Sequence, residues 1–317
     1  MNILVTGGAG FIGSHLIDAL LDAGHHVQTV DDLSLGRMEN IRHLDGHPRF
    51  RFHRQDLLER SALSRVFREG NFQCVFHMVA NSDIQAGARQ TDLDLKRTFL
   101  TTFAVLECMK EFGVKKLAHA STSAVYGEND EVLHEDIGPL FPISFYGASK
   151  LASEAYISAF GANFGIKSWI FRFPNVVGER ATHGVIYDFI SALERDPRRL
   201  TILGDGTQSK PYLYVKDLVL GMLFGWAHSE QPLNYFNLGV ETTTTVSQIA
   251  HFVVDAMGLK RVELHYAGGD RGWVGDVPRF LYDLSKIHRL GWKARRTSDE
   301  AVQLAIQAEL ERRKECR

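Results

Sequence analysis

At 317 residues, 44% hydrophobic and 23% charged, the chain has the composition of a globular protein able to bury one or two cores. A formal net charge of −2 gives no reason to expect nucleic acid or an anionic membrane surface as a partner. Its apolar runs are too short to span a bilayer, and Cys74, Cys108 and Cys316 show no CxxC spacing, which argues against a disulfide framework or thiolate metal site. Fourteen histidines include no HExxH, so no metal is expected. The first residues read as a core strand rather than a secretory signal, and a reducing cytoplasm is the expected compartment. The basic stretch ERRKECR reads as the solvated end of a last helix.

The chain opens MNILVTGGAGFIG. Asn2 to Thr6 is an apolar run rich in β-formers and predicts a buried strand. Gly7, Gly10 and Gly13 follow, and a helical pattern then covers Phe11 to Leu21, ending near Ala23-Gly24. A strand, a glycine turn and a helix start in this order cradle a pyrophosphate, because glycines let the backbone approach and the helix N-terminus favours negative charge. A second strand, His26 to Val30, runs into Asp31, 18 residues past Gly13. An acid at that distance accepts from adenosine ribose hydroxyls and repels a 2′-phosphate, favouring NAD over NADP; Arg37 pulls slightly the other way.

Further strands are predicted at Arg49 to His53, Cys74 to His77 and Leu117 to Ala120, with helices at Leu58 to Glu69 and Phe99 to Phe112. This alternation predicts an α/β fold: a Rossmann-type, doubly wound parallel sheet with ligands at the carboxyl ends of its strands. The loops at 7–13, 31–37, 56–57, 78–81 and 121–123 then converge. Next comes FYGASKLA. Tyr146 and Lys150 are four apart on one helix face, within a predicted helix over Ser149 to Gly161 and the residues before it. An ammonium beside a phenol, with a positive nicotinamide ring, favours the phenolate and makes Tyr146 a general base. Thr122 or Ser123 offers a hydroxyl at the fifth strand's end.

Beyond Phe173 the pattern predicts a smaller mixed α/β domain. Helices are expected at Val185 to Leu193, Val215 to Trp226, Val246 to Met257 and from Ser298 onward, with strands at Leu200 to Leu203 and Asn234 to Leu238. Residues 1–174 are expected to bind the dinucleotide, and residues 175–317 to bind the substrate. Trp292 reads as a core residue. Trp273 reads equally as core or pocket lining, and Arg180, Thr182 and His183 as substrate-facing or solvated.

The stretches TGGAGFIG, DDLSLGR, STSAVYGE, FYGASK, RFPNVVG, GDGTQSKPYLYV and GDRGWVGDVPRF, in this order, resemble the extended short-chain dehydrogenase/reductase family, and within it the nucleotide-sugar epimerases and dehydratases. The resemblance implies NAD as cofactor, with Gly7, Gly10, Phe11, Ile12 and Gly13 around the pyrophosphate. Asp31, Asp32, Leu33, Ser34, Gly36 and Arg37 would surround the ribose, and Asp56 and Leu57 the adenine. Met78, Val79, Ala80 and Phe173 would complete the cofactor site. It implies Thr122, Tyr146 and Lys150 as catalytic, Tyr146 as base and Lys150 on the nicotinamide ribose. Asn81, Thr122, Ser123, Tyr146, Asn175, Lys210, Tyr212 and Arg271 would meet a UDP-sugar, with Asp276 shaping that pocket. Three positions depart from the family pattern: Val79 replaces a smaller alanine, Thr98 a longer asparagine able to make one more hydrogen bond, and Lys210 an arginine able to grip phosphate bidentately.

The activity implied is 4-epimerisation of a UDP-sugar, either UDP-glucose/UDP-galactose or UDP-glucuronate/UDP-galacturonate, by a homodimer paired through the helices at Phe99 to Phe112 and Ser149 to Gly161. A 4,6-dehydratase is disfavoured, because Ser123 and Ala124 follow Thr122 where that subgroup carries an Asp-Glu pair. A UDP-uronate decarboxylase stays open, as does a non-catalytic NAD sensor.

Overall fold

In the computed structural model, which describes residues 1–273 and 275–315, an apolar run followed by glycines becomes a strand and a turn. Cys316 lies outside the described residues. Asn2–Thr6 forms β1, with residues 3 to 6 buried. It pairs in parallel with β2 (His26–Asp31) on one side and β4 (Cys74–His77) on the other. β2 continues to β3 (Phe50–Arg54), and β4 to β5 (Lys116–Thr122), again in parallel. With β6 (Lys167–Phe173) and the strand Leu233–Asn237, the sheet has seven strands in the order Leu233–Asn237, β6, β5, β4, β1, β2, β3. The order reverses beside β1, and open parallel sheets bind ligands at such a switch point. This is the Rossmann-like α/β architecture expected.

Helices cover the sheet. In α2 (Arg60–Gly70), Leu63, Val66, Phe67 and Gly70 recur at helical spacing and are buried. Leu63, Val66 and Phe67 pack in one cluster with Leu4, Val30, Val75, Leu117, Leu106, Met109 and Ile157. Each large apolar side chain taken out of water there contributes roughly 2 kcal/mol.

Three differences from the expected elements follow from local chemistry. The helix Phe145–Phe164 starts four residues early, because the Ser144 side chain accepts from the Gly147 N–H at 3.1 Å and caps it. Tyr146 therefore lies in its first turn. The helix expected from Phe99 begins at Asp92 and passes through a π turn, Leu95–Leu100, before the α-helical Thr101–Glu111. β6 is a strand that periodicity did not single out, because Arg172 interrupts its apolar run.

The chain divides into two compact units. The first comprises Met1–Gly127, Gly138–Arg172 and Met222–Phe236. The second comprises Glu128–Ile137, Phe173–Gly221 and Asn237–Arg317. In the second, Arg199–Ile202 pairs in parallel with Glu263–Tyr266, and Asn175–Val177 with Tyr212–Tyr214. Its helix Val246–Ala256 opens with a capping box between Thr245 and Gln248. Trp292 is buried, and a Cβ on Gly221 would meet its ring at 2.7 Å.

Candidate active site

In the first unit the glycine turn joins β1 to α1 (Phe11–Asp22). Gly7 has φ +74°, a left-handed conformation that disfavours any side chain, and a Cβ on Gly13 would stand 2.2 Å from the Gly7 carbonyl oxygen. Gly10 caps α1 without a side-chain hydrogen bond, which leaves the first-turn N–H groups of Phe11 and Ile12 available to an anion. A Cβ on Gly7 would stand 3.1 Å from a Val79 methyl, so the bulkier residue closes one side of the turn.

Asp31 ends β2 as expected but is committed locally. Its Oδ2 accepts from the Ala9 N–H at 3.0 Å and its Oδ1 from the Leu33 N–H at 2.8 Å. Burial nonetheless pushes its carboxyl up. A Cβ on Gly36 would meet Oδ1 at 2.7 Å, and Leu33 takes φ +63°, so the 31–37 loop wraps the carboxylate. Asp32 is exposed and accepts from Ser34 N–H, and Arg37 N–H donates to the Ala9 carbonyl at 2.9 Å. Asp56 is exposed, and Leu57 is buried beside it.

At the end of β5, Thr122 caps the turn Ser123–Tyr126 by accepting from Ala124 N–H, and its hydroxyl stands close enough to the Tyr146 phenol to favour the phenolate. Lys150 is 1% exposed, and its Nζ donates to the Ala120 carbonyl at 2.6 Å. The structure thus brings Thr122, Tyr146 and Lys150 together. Burial pushes the Tyr146 phenol up to about 12, and burial pulls Lys150 down to about 7 against the carboxylates of Glu154 and Asp94.

Behind this pair runs a buried polar layer that sequence reasoning missed. Thr6 Oγ1 lies 2.7 Å from His77 Nδ1, His77 Nε2 lies 3.0 Å from Thr102 Oγ1, and Ser153 donates to Thr102 at 3.1 Å. His119 stacks on His77, and neither of its ring nitrogens has a hydrogen-bond partner among the described residues. Glu154 accepts from Arg172 Nη2 at 2.6 Å, and Arg172 Nη1 donates to the Tyr126 hydroxyl. Asn81 is buried, both hydrogens of its amide nitrogen go to the Asp83 carbonyl and Asp94 Oδ1, and its oxygen accepts from Asp83 N–H, so its side chain braces the chain. Thr98 takes up Asn81 N–H at 3.0 Å, a role within reach of its short side chain. Met78, Val79 and Ala80 are half-buried at the end of β4.

In the second unit, Asn175 is exposed and its side chain hydrogen-bonds the buried Tyr212 phenol. Lys210 pairs with Asp276 and lies 5.3 Å from the centre of the half-buried Trp273 ring. Arg271 pairs with Glu128 at 2.6 Å. Arg180 takes φ +66°, and Thr182 Oγ1 lies 3.1 Å from His183 Nδ1. Phe173 is buried. Among the described residues, no group of three His, Cys, Asp or Glu could hold a metal ion, and no helix is long and apolar enough to cross a membrane.

A glycine turn at the switch point of a parallel sheet, with a strand-end hydroxyl, a tyrosine and a lysine four residues on, defines an extended short-chain dehydrogenase/reductase. The profile of the NAD dependent epimerase/dehydratase family matches residues 3–239, and the chain belongs to that family. It is 30% identical over 311 residues to a putative UDP-glucose 4-epimerase of Methanocaldococcus jannaschii, covering 96% of this chain and 97% of that one. A UDP-glucose 4-epimerase from Thermotoga maritima, solved with UDP-glucose, superposes with a TM-score of 0.88 at 31% identity, over 98% of this chain and 99% of the other. A UDP-glucuronic acid 4-epimerase from Bacillus cereus, solved with its substrate and NAD, gives 0.88 at 27% identity over the same shares. A probable dTDP-glucose 4,6-dehydratase of Sinorhizobium fredii is 28% identical over 334 residues, covering 98% of this chain and 93% of that one. The family is NAD-dependent. The glycine turn fits that cofactor: a side chain at Gly13 would collide with the backbone, one at Gly7 would be strained by its positive φ, and the first turn of α1 offers N–H groups to an anion.

Proposed function

We propose that the chain is a UDP-sugar 4-epimerase, acting on UDP-glucose/UDP-galactose or UDP-glucuronate/UDP-galacturonate. The observation that carries this reading is the meeting of the Thr122 hydroxyl and the buried Tyr146 phenol at the end of β5, backed by the buried Lys150. Gly7, Gly10, Phe11, Ile12 and Gly13 hold the pyrophosphate of NAD. Asp31, Asp32, Leu33, Ser34, Gly36 and Arg37 line its ribose, and Asp56 and Leu57 its adenine. NAD, when bound, supplies a reversible acceptor for the hydride of the sugar's C4. Tyr146 removes the proton of the 4-hydroxyl and returns it once the other face of C4 is presented, and Thr122 holds the oxygen. Lys150 supplies positive charge behind the phenol. Asn175, Lys210, Tyr212 and Arg271 bind the nucleotide diphosphate. The 4-epimerases among the relatives support this reading. The dehydratase relative leaves elimination as the rival, against which stands the absence of an acid at Ser123 and Ala124.

The test is incubation of the purified protein with UDP-glucose and, separately, UDP-glucuronate, with products read by NMR. The 4-epimer supports the reading. A 4-keto-6-deoxy sugar or a pentose would assign a dehydratase or a decarboxylase instead, and no turnover would leave a sensor. Tyr146→Phe lowers kcat by about 10²- to 10⁴-fold, and full activity in that variant removes Tyr146 as the base. The same reading makes the chain a cytoplasmic homodimer, paired through helix faces that expose Leu100, Phe103, Tyr156 and Phe164. Its mass in solution tests that pairing.

A further inference from the structure

Asp94 is fully buried just before the π turn, and no role described so far uses its charge. Its Oδ1 accepts from the Asn81 amide at 3.0 Å, and its Oδ2 is buried with no hydrogen-bond partner among the described residues. Gly87 makes room for that oxygen: a Cβ there would stand 1.9 Å from Oδ2. A carboxylate oxygen walled off from water and lacking a donor is costly unless a nearby cation compensates it.

The turn Asp92–Asp94 packs against the helix Phe145–Phe164, which carries the buried cation Lys150. Lys150 is equally buried, and its Nζ donates to a neutral acceptor, the Ala120 carbonyl. The charged and titratable groups around it are Glu154 and Tyr146 on its own helix, Asp94, His77 on β4 and His119 on β5. Glu154 is paired with Arg172, and burial keeps both histidines neutral. Around Asp94 stand Asp83, Lys150 and Tyr146. Asp94 is thus the carboxylate near Lys150 that no closer cation neutralises.

We propose that Asp94 is a positioning residue of this site: one oxygen braces the 78–83 segment through Asn81, while the charge of the carboxylate holds the buried ammonium of Lys150 in its cationic form behind Tyr146. This deepens the functional reading and rests on it for the role of Lys150. Without that ammonium the phenol loses the positive charge behind it, and proton removal from the sugar slows.

Asp94→Asn keeps the shape and removes the charge. With ¹³Cε-labelled lysine, and the Lys150 signal identified by its loss in Lys150→Met, the Lys150 titration moves to lower pH by on the order of one unit. The alkaline limb of the pH–kcat profile moves the same way, and kcat at pH 8 falls about tenfold with KM little changed, which a merely structural lesion would not produce. By reciprocity, Lys150→Met raises the Asp94 titration, read by ¹³Cγ aspartate labelling, by the same amount. A Lys150 titration unmoved in Asp94→Asn overturns the proposal. So does an unmoved Asp94 titration in Lys150→Met, an arm that stands even if Asp94→Asn does not fold. Neither titration needs turnover, so a chain inert toward every UDP-sugar would defeat the functional reading without deciding this one.

Discussion

Two neutral histidines lie in the middle of the sheet, and acid must act on them. His77 and His119 are fully buried; burial pulls His77 down to about 3 and His119 well below its ordinary value. In the unfolded chain each takes a proton near pH 6.5. Because the folded values are depressed, the stability these groups confer is complete above pH 6.5 and is lost as pH falls from 6.5 toward the folded values. While the folded form refuses the proton that the unfolded form binds, each histidine removes about 1.4 kcal/mol per pH unit. Between pH 6 and pH 5 the pair therefore costs about 3 kcal/mol, a large part of an ordinary folding stability. The perturbation is His119→Phe, which keeps a ring against His77 and discards the two unpartnered nitrogens. Urea unfolding at pH 7.5, 6.0 and 5.0 gives ΔG at each pH. The variant loses about 1.4 kcal/mol less than the wild type between the two acid points. Equal losses in both proteins would mean that His119 is protonated inside the fold and that the burial argument is wrong.

Two further outcomes test the frame around the site. Gly13→Ala puts a Cβ 2.2 Å from the Gly7 oxygen, backbone against backbone, so the turn must open; calorimetric titration should show NAD affinity reduced at least about tenfold, and undiminished affinity would mean that this contact does not shape the phosphate site. Glu154→Gln leaves the Arg172 guanidinium buried beside a neutral amide, and urea denaturation should report a loss of about 3 to 5 kcal/mol, whereas a loss below about 1 kcal/mol would mean water reaches the pair.

The strands β1 and β4 were legible because strands buried on both faces are short runs rich in apolar residues, and β1 and β2 because glycine and aspartate mark where they end. The same logic hid β6. Arg172 looks like a break in a strand until its partner Glu154, on the helix before it, is seen in space. The spacing of Tyr146 and Lys150 was visible as letters, and so was the hydroxyl of Thr122. The direction of their titrations was not, since burial by β5 and by the layer of His77, Thr102 and Ser153 is a property of packing. Asp31 shows both sides: its place after β2 could be counted from Gly13, but its grip on Ala9 and Leu33 N–H depends on how the loops close. Nothing in the pattern flags Asp94 either, because its meaning comes from how the chain folds Gly87 and Asn81 back onto it and from Lys150, which is distant in sequence.

The strand Leu233–Asn237 has a consequence for how this chain can be cut. It closes the flank of the sheet beyond β6, yet it is synthesised about sixty residues after β6, counted along the sequence. A fragment stopped at Arg172 would leave the outer side of β6 as a raw row of amides and carbonyls, a template for joining other chains. During translation the same row stays bare until the ribosome has delivered the later segment, so the dinucleotide half cannot finish before much of its neighbour has been made.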